Sequence, residues 1–139
     1  MAPSKPKRER VWVRVKSLTP QEKADIAAAC ERLIAEVLKP KFLPEIRPSQ
    51  FNYPIDIFGK WRGSSYSFIV RYRSGLPDNA GEEFDSAYAR LDHVPQGPGT
   101  TFDIMWMRHT RRWWPLYSSV TLEEALDLIG ADGVLRPPI

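Results

Sequence analysis

The sequence offers few side chains suited to catalysis or metal binding. Its 139 residues include only two histidines and one cysteine: His93, His109 and Cys30. A zinc site needs about four converging ligands, whereas the two histidines fall at opposite ends of one predicted hairpin. Cys30 lies on the apolar side of a predicted helix, which is typical of a small core residue. We therefore predict no catalytic residue, no metal ligand and no cofactor, and the sequence leans against an enzyme without deciding the question.

Asp92 and Asp103 are the acidic pair that the predicted strand pairing brings together. They face each other across the same hairpin, and like charges directly opposite destabilise a sheet unless a cation lies between them. A bound divalent ion or an acid–base couple is one interpretation, and neutralisation by the nearby Arg90 is the other. A register shift of one residue would remove the pairing altogether.

Other side chains suit binding rather than catalysis. Five of them crowd one predicted turn and the strand after it: Arg108, Arg111, Arg112, Trp113 and Trp114. Cationic side chains contact phosphates, and aromatic rings stack on bases. These residues are therefore candidate contacts to nucleic acid or to a partner protein.

The first 16 residues form a basic arm. Its net charge is +5, so the rest of the chain carries −2 of the total of +3; the basic residues are Lys5, Lys7, Arg8, Arg10, Arg14 and Lys16. Such an arm can attract phosphates, and all but Lys16 are taken as candidate contacts. The alternative is a solvated, frayed terminus. Alternating valines over residues 11–16 predict a short edge strand.

A capped helix is predicted to precede the strands. Thr19 as N-cap, Pro20 at the first helical position and Glu22 three residues after the cap form a capping box. Pro40 is expected to end the helix near Lys39. The apolar residues recur at spacings of three and four, which predicts one buried face: Ile26, Cys30, Leu33, Ile34, Val37 and Leu38.

From residue 51 to residue 117 the apolar period becomes two, which predicts an antiparallel meander of about five strands. Residues 53–61 are predicted to pair with residues 66–72, and residues 84–94 with residues 101–109. The predicted opposite pairs are Ile57 with Val70, Phe58 with Ile69, Asp56 with Arg71, Gly59 with Phe68, Ala89 with Trp106 and Leu91 with Ile104. Gly59 would either leave room for the Phe68 ring or form a bulge.

The last strand, residues 113–117, is limited to a sheet edge by Pro115. One face is predicted to hold Trp106, Trp113 and Tyr117, and the other to hold Met105, Met107, Trp114 and Leu116. Both faces of the sheet therefore look apolar, and two short helices would cover only one of them. Either a partner, such as a second copy of the chain, or the arm and loops would cover the other face.

A second capping box at Thr121 and Glu124 predicts a C-terminal helix that Gly130 closes in a left-handed conformation. The predicted fold is α+β: an N-terminal helix, a meander of about five strands and a C-terminal helix. The predicted division is a basic arm over residues 1–16, one domain over residues 17–130 and a loose, proline-rich tail over residues 131–139.

Composition bounds the class of protein. A content of 42% hydrophobic and 12% aromatic residues can drive the collapse of one domain. A single cysteine cannot form an intramolecular disulfide, which suits a reducing compartment. No apolar run approaches the roughly 18 residues of a membrane span, and the basic start lacks the apolar run of a secretory signal. We therefore expect a cytoplasmic protein without membrane contact.

Four segments carry a resemblance to a known family. They are an aromatic-Met-Arg strand (FDIMWMR, residues 102–108), a basic turn (HTRR, residues 109–112), a tryptophan-tyrosine strand (WWPLY, residues 113–117) and a leucine-acidic helix (LEEAL, residues 122–126). Together with residues 89–91 they resemble the second half of a bacterial family of uncharacterised proteins, a domain of unknown function. The resemblance implies a bacterial, cytoplasmic protein and carries no activity or cofactor.

Two functional hypotheses follow. The first is a non-catalytic binding or assembly module that forms a homodimer through an apolar sheet face. The alternative is a nucleic-acid-binding protein that uses the basic arm and the Arg/Trp-rich hairpin.

Overall fold

A computed structural model describes residues 17–139, and the basic arm with its predicted edge strand over residues 11–16 lies outside the described residues. The chain forms a helix, five strands and a second helix, which confirms the predicted α+β fold. The N-terminal helix α1 spans Pro20–Leu33 and continues through a π turn, Ile34–Leu38, into a last turn α2, Lys39–Phe42. The strands are β1 (Asn52–Arg62), β2 (Ser65–Ser74), β3 (Glu83–Val94), β4 (Thr101–Met107) and β5 (Trp113–Val120), followed by helix α3 (Leu122–Ala131) and a 3₁₀ turn (Gly133–Leu135).

The five strands form one antiparallel sheet in sequence order. All six predicted cross-strand pairs are observed, including Gly59 opposite Phe68 and Ala89 opposite Trp106. The bulge in β1 lies between Pro54 and Asp56 rather than at Gly59. Residues paired across neighbouring strands share a face of the sheet, so this register assigns each side chain to one side.

The helices pack on one face of the sheet, which we call the helix face. The predicted capping box at Thr19 is formed, and Glu124 N–H donates to the Thr121 side chain at the start of α3. The side chain of Trp61 also anchors α1, because its indole N–H donates to the Lys23 carbonyl at 3.0 Å. The buried core combines the helices with the strands: Ile26, Cys30, Ile34, Leu38, Ile57, Tyr66, Phe68, Val70, Leu91, Phe102, Ile104, Ala125 and Ile129.

The prediction that Pro40 ends the helix near Lys39 was wrong. A proline inside an α-helix lacks one hydrogen bond, and its ring clashes with the carbonyl four residues earlier. Here a wider π turn precedes Pro40, with Lys39 N–H donating to the Ile34 carbonyl. The wider turn relieves the clash, and the helix continues to Phe42.

The C-terminal segment also differs from expectation. Gly130 is not left-handed, because α3 continues to Ala131 and Asp132 caps it. The segment that follows is not loose: Leu135 is fully buried in the core, and the Tyr72 hydroxyl donates to the Pro138 carbonyl. These contacts hold residues 133–138 against the end of the sheet.

Gly59 permits a close contact on the helix face. The Tyr66 ring packs over it, and a Cβ at Gly59 would lie 2.5 Å from Cε1 and Cζ of that ring. The ring that needs the space is therefore that of Tyr66, not the predicted Phe68. Tyr66 in turn makes edge-to-face contacts with Trp61 and Phe68, each with a centroid distance of 5.4 Å.

Substitution Gly59→Ala is expected to lower the free energy of unfolding by about 1–3 kcal/mol, because the added methyl group overpacks the Tyr66 contact. Urea denaturation measures the effect. Gly133→Ala is the matched control, since no atom lies within 4 Å of its Cβ position and its φ is not positive. Equal free energies of unfolding for the two variants would contradict the claim that Tyr66 packs directly over Gly59.

Cys30 lies in the core, as predicted, with no exposed surface. Burial, followed by the charge of Glu31, raises the pKa of its thiol from 9.0 to about 12. The thiolate therefore forms more readily in the unfolded chain, and this group lowers the free energy of unfolding as the pH rises from about 9 to about 12.

Native Cys30 is expected to resist alkylation by iodoacetamide at about pH 8 and to react fully in denaturant, because a buried, protonated thiol is a poor nucleophile. Mass spectrometry follows the labelling. A Ser118→Cys variant in a Cys30→Ala background supplies an exposed thiol for comparison. Labelling of native Cys30 as fast as that control would overturn the core assignment.

Candidate functional site

The predicted contact residues of the folded domain lie in the β4–β5 turn, residues 108–112, and at the start of β5. Arg108 N–H donates to the Arg112 carbonyl, and Arg111 N–H donates to the Arg108 carbonyl. Three arginines and His109 thus fall within one tight turn. The other candidates, Lys5, Lys7, Arg8, Arg10 and Arg14, lie outside the described residues.

Arg111 adopts a left-handed backbone conformation, with φ of 62°. Glycine and asparagine are the residues that usually occupy this region, and a long side chain there is uncommon. Non-glycine residues in such conformations cluster at functional sites, where the surrounding structure holds them.

The two tryptophans after the turn diverge to opposite faces of the sheet. Trp113 pairs with Met107 and Trp114 with Trp106, so the predicted division of faces was wrong for Trp113 and Trp114. Trp114 remains 45% exposed. Each tryptophan carries an arginine on its ring: Arg90 lies 4.6 Å from the Trp113 centroid and Arg108 lies 4.8 Å from that of Trp114.

The face opposite the helices, which we call the open face, is not the continuous apolar surface that was predicted. Phe58 and Trp113 lie on it, but arginines cover their rings, with Arg71 only 4.7 Å from the Phe58 centroid. Carboxylates pair with the arginines of this face: Arg71 with Asp85, Arg73 with Glu83 and Arg90 with Asp92. Stacked and paired arginines make this face amphipathic.

A shallow cleft of about 360 Å³ opens on this face. Its wall contains cationic side chains that sequence reasoning missed, namely Lys60, Arg62 and Arg90, beside Trp113. Lys60 and Arg62 are exposed, and neither belongs to an ion pair among residues 17–139. The predicted β1–β2 register contained half of the signal, since Lys60 pairs with Ser67; the pairing of Ser67 with Arg90 belongs to the β2–β3 register, which was not predicted.

A second cleft, of about 420 Å³, lies between the turn and the C-terminal segment. Arg108, His109 and Arg111 line it together with Arg136. Sequence reasoning missed Arg136 because it treated the tail as loose. The two clefts share Ala87 and Met107 in their walls and are therefore neighbours.

Asp92 and Asp103 do face each other, as predicted, but each carboxylate has its own donors. Asp92 accepts from Arg90 Nε at 2.6 Å and from the Ser65 hydroxyl at 2.8 Å, while Asp103 accepts from Ser119 N–H at 2.9 Å. Among residues 17–139, no group of three or more histidine, cysteine or acidic side chains could hold a metal ion. Of the two interpretations, this arrangement favours the one in which Arg90 neutralises Asp92.

The histidines lie apart. His93 packs edge-on against Phe102, at a centroid distance of 5.9 Å, and burial lowers its pKa. His109 belongs to the second cleft, beyond the other end of the β3–β4 hairpin. The chemistry that converges at the turn is therefore electrostatic: guanidinium groups beside aromatic rings, a combination that binds anions.

Helix α3 presents the opposite charge. Its ten residues include Glu123, Glu124 and Asp127 and no basic residue. The domain is thus acidic on α3 and basic at the β4–β5 turn. None of the helices within residues 17–139 is long and apolar enough to cross a membrane.

Comparison with known proteins gives a family and no activity. A family model described as Domain of unknown function (DUF3024) matches residues 18–136, which include all five strands, both capped helices and Arg136. No curated protein and no solved structure matches the chain. The resemblance to a family of uncharacterised proteins is confirmed at this level: the chain belongs to the family of the domain of unknown function DUF3024.

Proposed function

We propose that this domain is a non-catalytic binding module for single-stranded nucleic acid, with the strand lying across the open face toward the β4–β5 turn. The observation that carries the proposal is the open-face cleft, where Lys60 and Arg62 stand beside Trp113 without carboxylate partners in the described chain.

The side chains match what a single strand offers. Lys60 and Arg62 supply charges for successive phosphates, and Trp113 supplies an aromatic surface for a base. Arg112 is exposed at the end of the same path. The open sheet face is broad and shallow, which suits an extended strand better than a small molecule enclosed on all sides.

Charge distribution supports the same orientation. Helix α3 carries three carboxylates and no cation, so it repels a polyanion from the helix face, while the turn attracts it. The basic arm adds a net charge of +5 that can contact phosphates from outside the described residues. The single cysteine fits a cytoplasmic location for such a module.

A homodimer formed through the open face is the second candidate. Phe58, Met107 and Trp113 place apolar area on that face, whereas Ile69 between them is only 4% exposed and adds little. The paired arginines would have to be buried with their carboxylates, which costs desolvation energy. Light scattering at tens of micromolar tests this candidate: a dimer mass supports it and a monomer mass removes it.

The double substitution of Lys60→Gln with Arg62→Gln is expected to weaken binding of a single-stranded oligonucleotide about tenfold at low salt. Each lost phosphate contact should also reduce the slope of log affinity against log salt by about 0.7. Fluorescence anisotropy with a labelled oligonucleotide of mixed sequence measures both quantities.

The double substitution of Arg32→Gln with Arg47→Gln is the charge-matched control, because both arginines are exposed and lie outside the open-face cleft. It should retain nearly the full affinity. Equal weakening in the two variants, or no binding by the unaltered protein at low salt, would rule out strand binding on this face.

A further inference from the structure

Three chain regions line the open cleft between the β4–β5 turn and the C-terminal segment. The start of β3, the end of β4 with the turn, and residues 133–138 meet around a volume of about 420 Å³. Clefts of about 300–1,000 Å³ are typical of small-ligand sites. The buried Leu135 and the Tyr72–Pro138 hydrogen bond hold the C-terminal wall in place.

The charge in this cleft is one-sided. Arg108, Arg111, Arg136 and His109 line it, and none of the lining residues is acidic. None of these arginines forms an ion pair with another part of the described chain. Like charges held together repel one another, and an anion of charge −2 placed among them converts that repulsion into attraction.

Two polar atoms of the cleft residues are buried and lack a hydrogen-bond partner among residues 17–139. They are the hydroxyl oxygen of Tyr88, a residue only 6% exposed, and Nε of Arg108. Buried polar groups without hydrogen-bond partners are uncommon in proteins, and each calls for an explanation such as a bound water or ion. Both belong to residues that line this cleft.

The surrounding structure positions the guanidinium of Arg108 and the backbone of Arg111 before any ligand arrives. The guanidinium of Arg108 lies 5.8 Å from the Trp106 ring centroid and 4.8 Å from that of Trp114. Arg111 is held in its left-handed conformation by the closed turn. A guanidinium group held in place, as that of Arg108 is, loses little entropy when it binds.

We infer that this cleft binds a phosphate monoester dianion through Arg108, Arg111 and Arg136. A phosphate monoester carries nearly two charges at pH 7, since its second pKa is about 6, and its oxygens accept paired N–H groups from the arginine fork. The volume leaves room for the organic part of the ester. This site does not depend on strand binding across the open face.

Two sources present the same chemistry: a small phosphorylated molecule, and the terminal phosphate of a nucleic-acid strand that crosses the neighbouring open face. Three probes separate them, namely ribose 5-phosphate, an oligonucleotide with a 5′-phosphate and the same oligonucleotide with a 5′-hydroxyl. Preference for the 5′-phosphate end over the hydroxyl end supports the strand. If ribose 5-phosphate binds and neither oligonucleotide binds, the ligand is a small phosphorylated molecule. That result would contradict strand binding across the open face and leave the phosphate site intact.

Titration calorimetry with inorganic phosphate, at constant ionic strength set by chloride, tests the site itself. We expect saturable binding to the full chain, and about tenfold weaker binding for Arg111→Gly and for Arg136→Gln. Glycine adopts a positive φ without strain, so Arg111→Gly should keep or raise the melting temperature while it lowers phosphate affinity. Loss of binding in that variant therefore cannot be ascribed to unfolding.

Arg47→Gln, which removes an exposed arginine outside the cleft, should bind phosphate as the unaltered chain does. The inference is overturned if neither inorganic phosphate nor ribose 5-phosphate binds, or if Arg111→Gly and Arg136→Gln retain full affinity.

Discussion

Burial of one aromatic layer between the sheet and the helices is the constraint on which the rest of the structure depends. Tyr66 and Phe68 are nearly or fully buried between β2 and the helices, and Gly59 leaves the space that the Tyr66 ring occupies. Side chains alternate along a strand, so fixing these residues on the helix face places Ser67 and Ile69 on the open face. The capped helices α1 and α3 then close the buried side.

The side chains that are not buried in this layer lie on the open face and at the β4–β5 turn. The arginines of these two regions differ in whether they are paired with carboxylates. On the open face, arginines of β2 and β3 lie on aromatic rings and pair with carboxylates. At the turn, Arg108 and Arg111 have no carboxylate partner in the described chain, and the C-terminal segment adds Arg136. The proposed binding therefore rests on the cations that have no carboxylate partner in the described chain.

Much of this fold could be predicted because local signals agreed with it. Thr19 and Thr121 mark the helix starts, and the short turn at Gly63 fixes the β1–β2 register, so Ile57 and Val70 were paired correctly. The faces of Trp113 and Trp114 were missed because the five-residue turn and two irregularities in the β4–β5 pairing shift the register. The site was found only in part: Arg108 and Arg111 lie three residues apart in the sequence, whereas Arg136 reaches them only through burial of Leu135.

The central claim is that the helix face is a packed core and that anions bind at the β4–β5 turn and the open face, away from the acidic helix α3. Amide chemical-shift mapping by NMR, during titration with phosphate and then with an oligonucleotide, tests it most directly. The account predicts phosphate shifts at Tyr88, Arg111 and Arg136 and oligonucleotide shifts along Lys60 to Arg62, with α3 unaffected. Shifts concentrated on α3, or on core residues such as Phe68 with the turn unchanged, would contradict it.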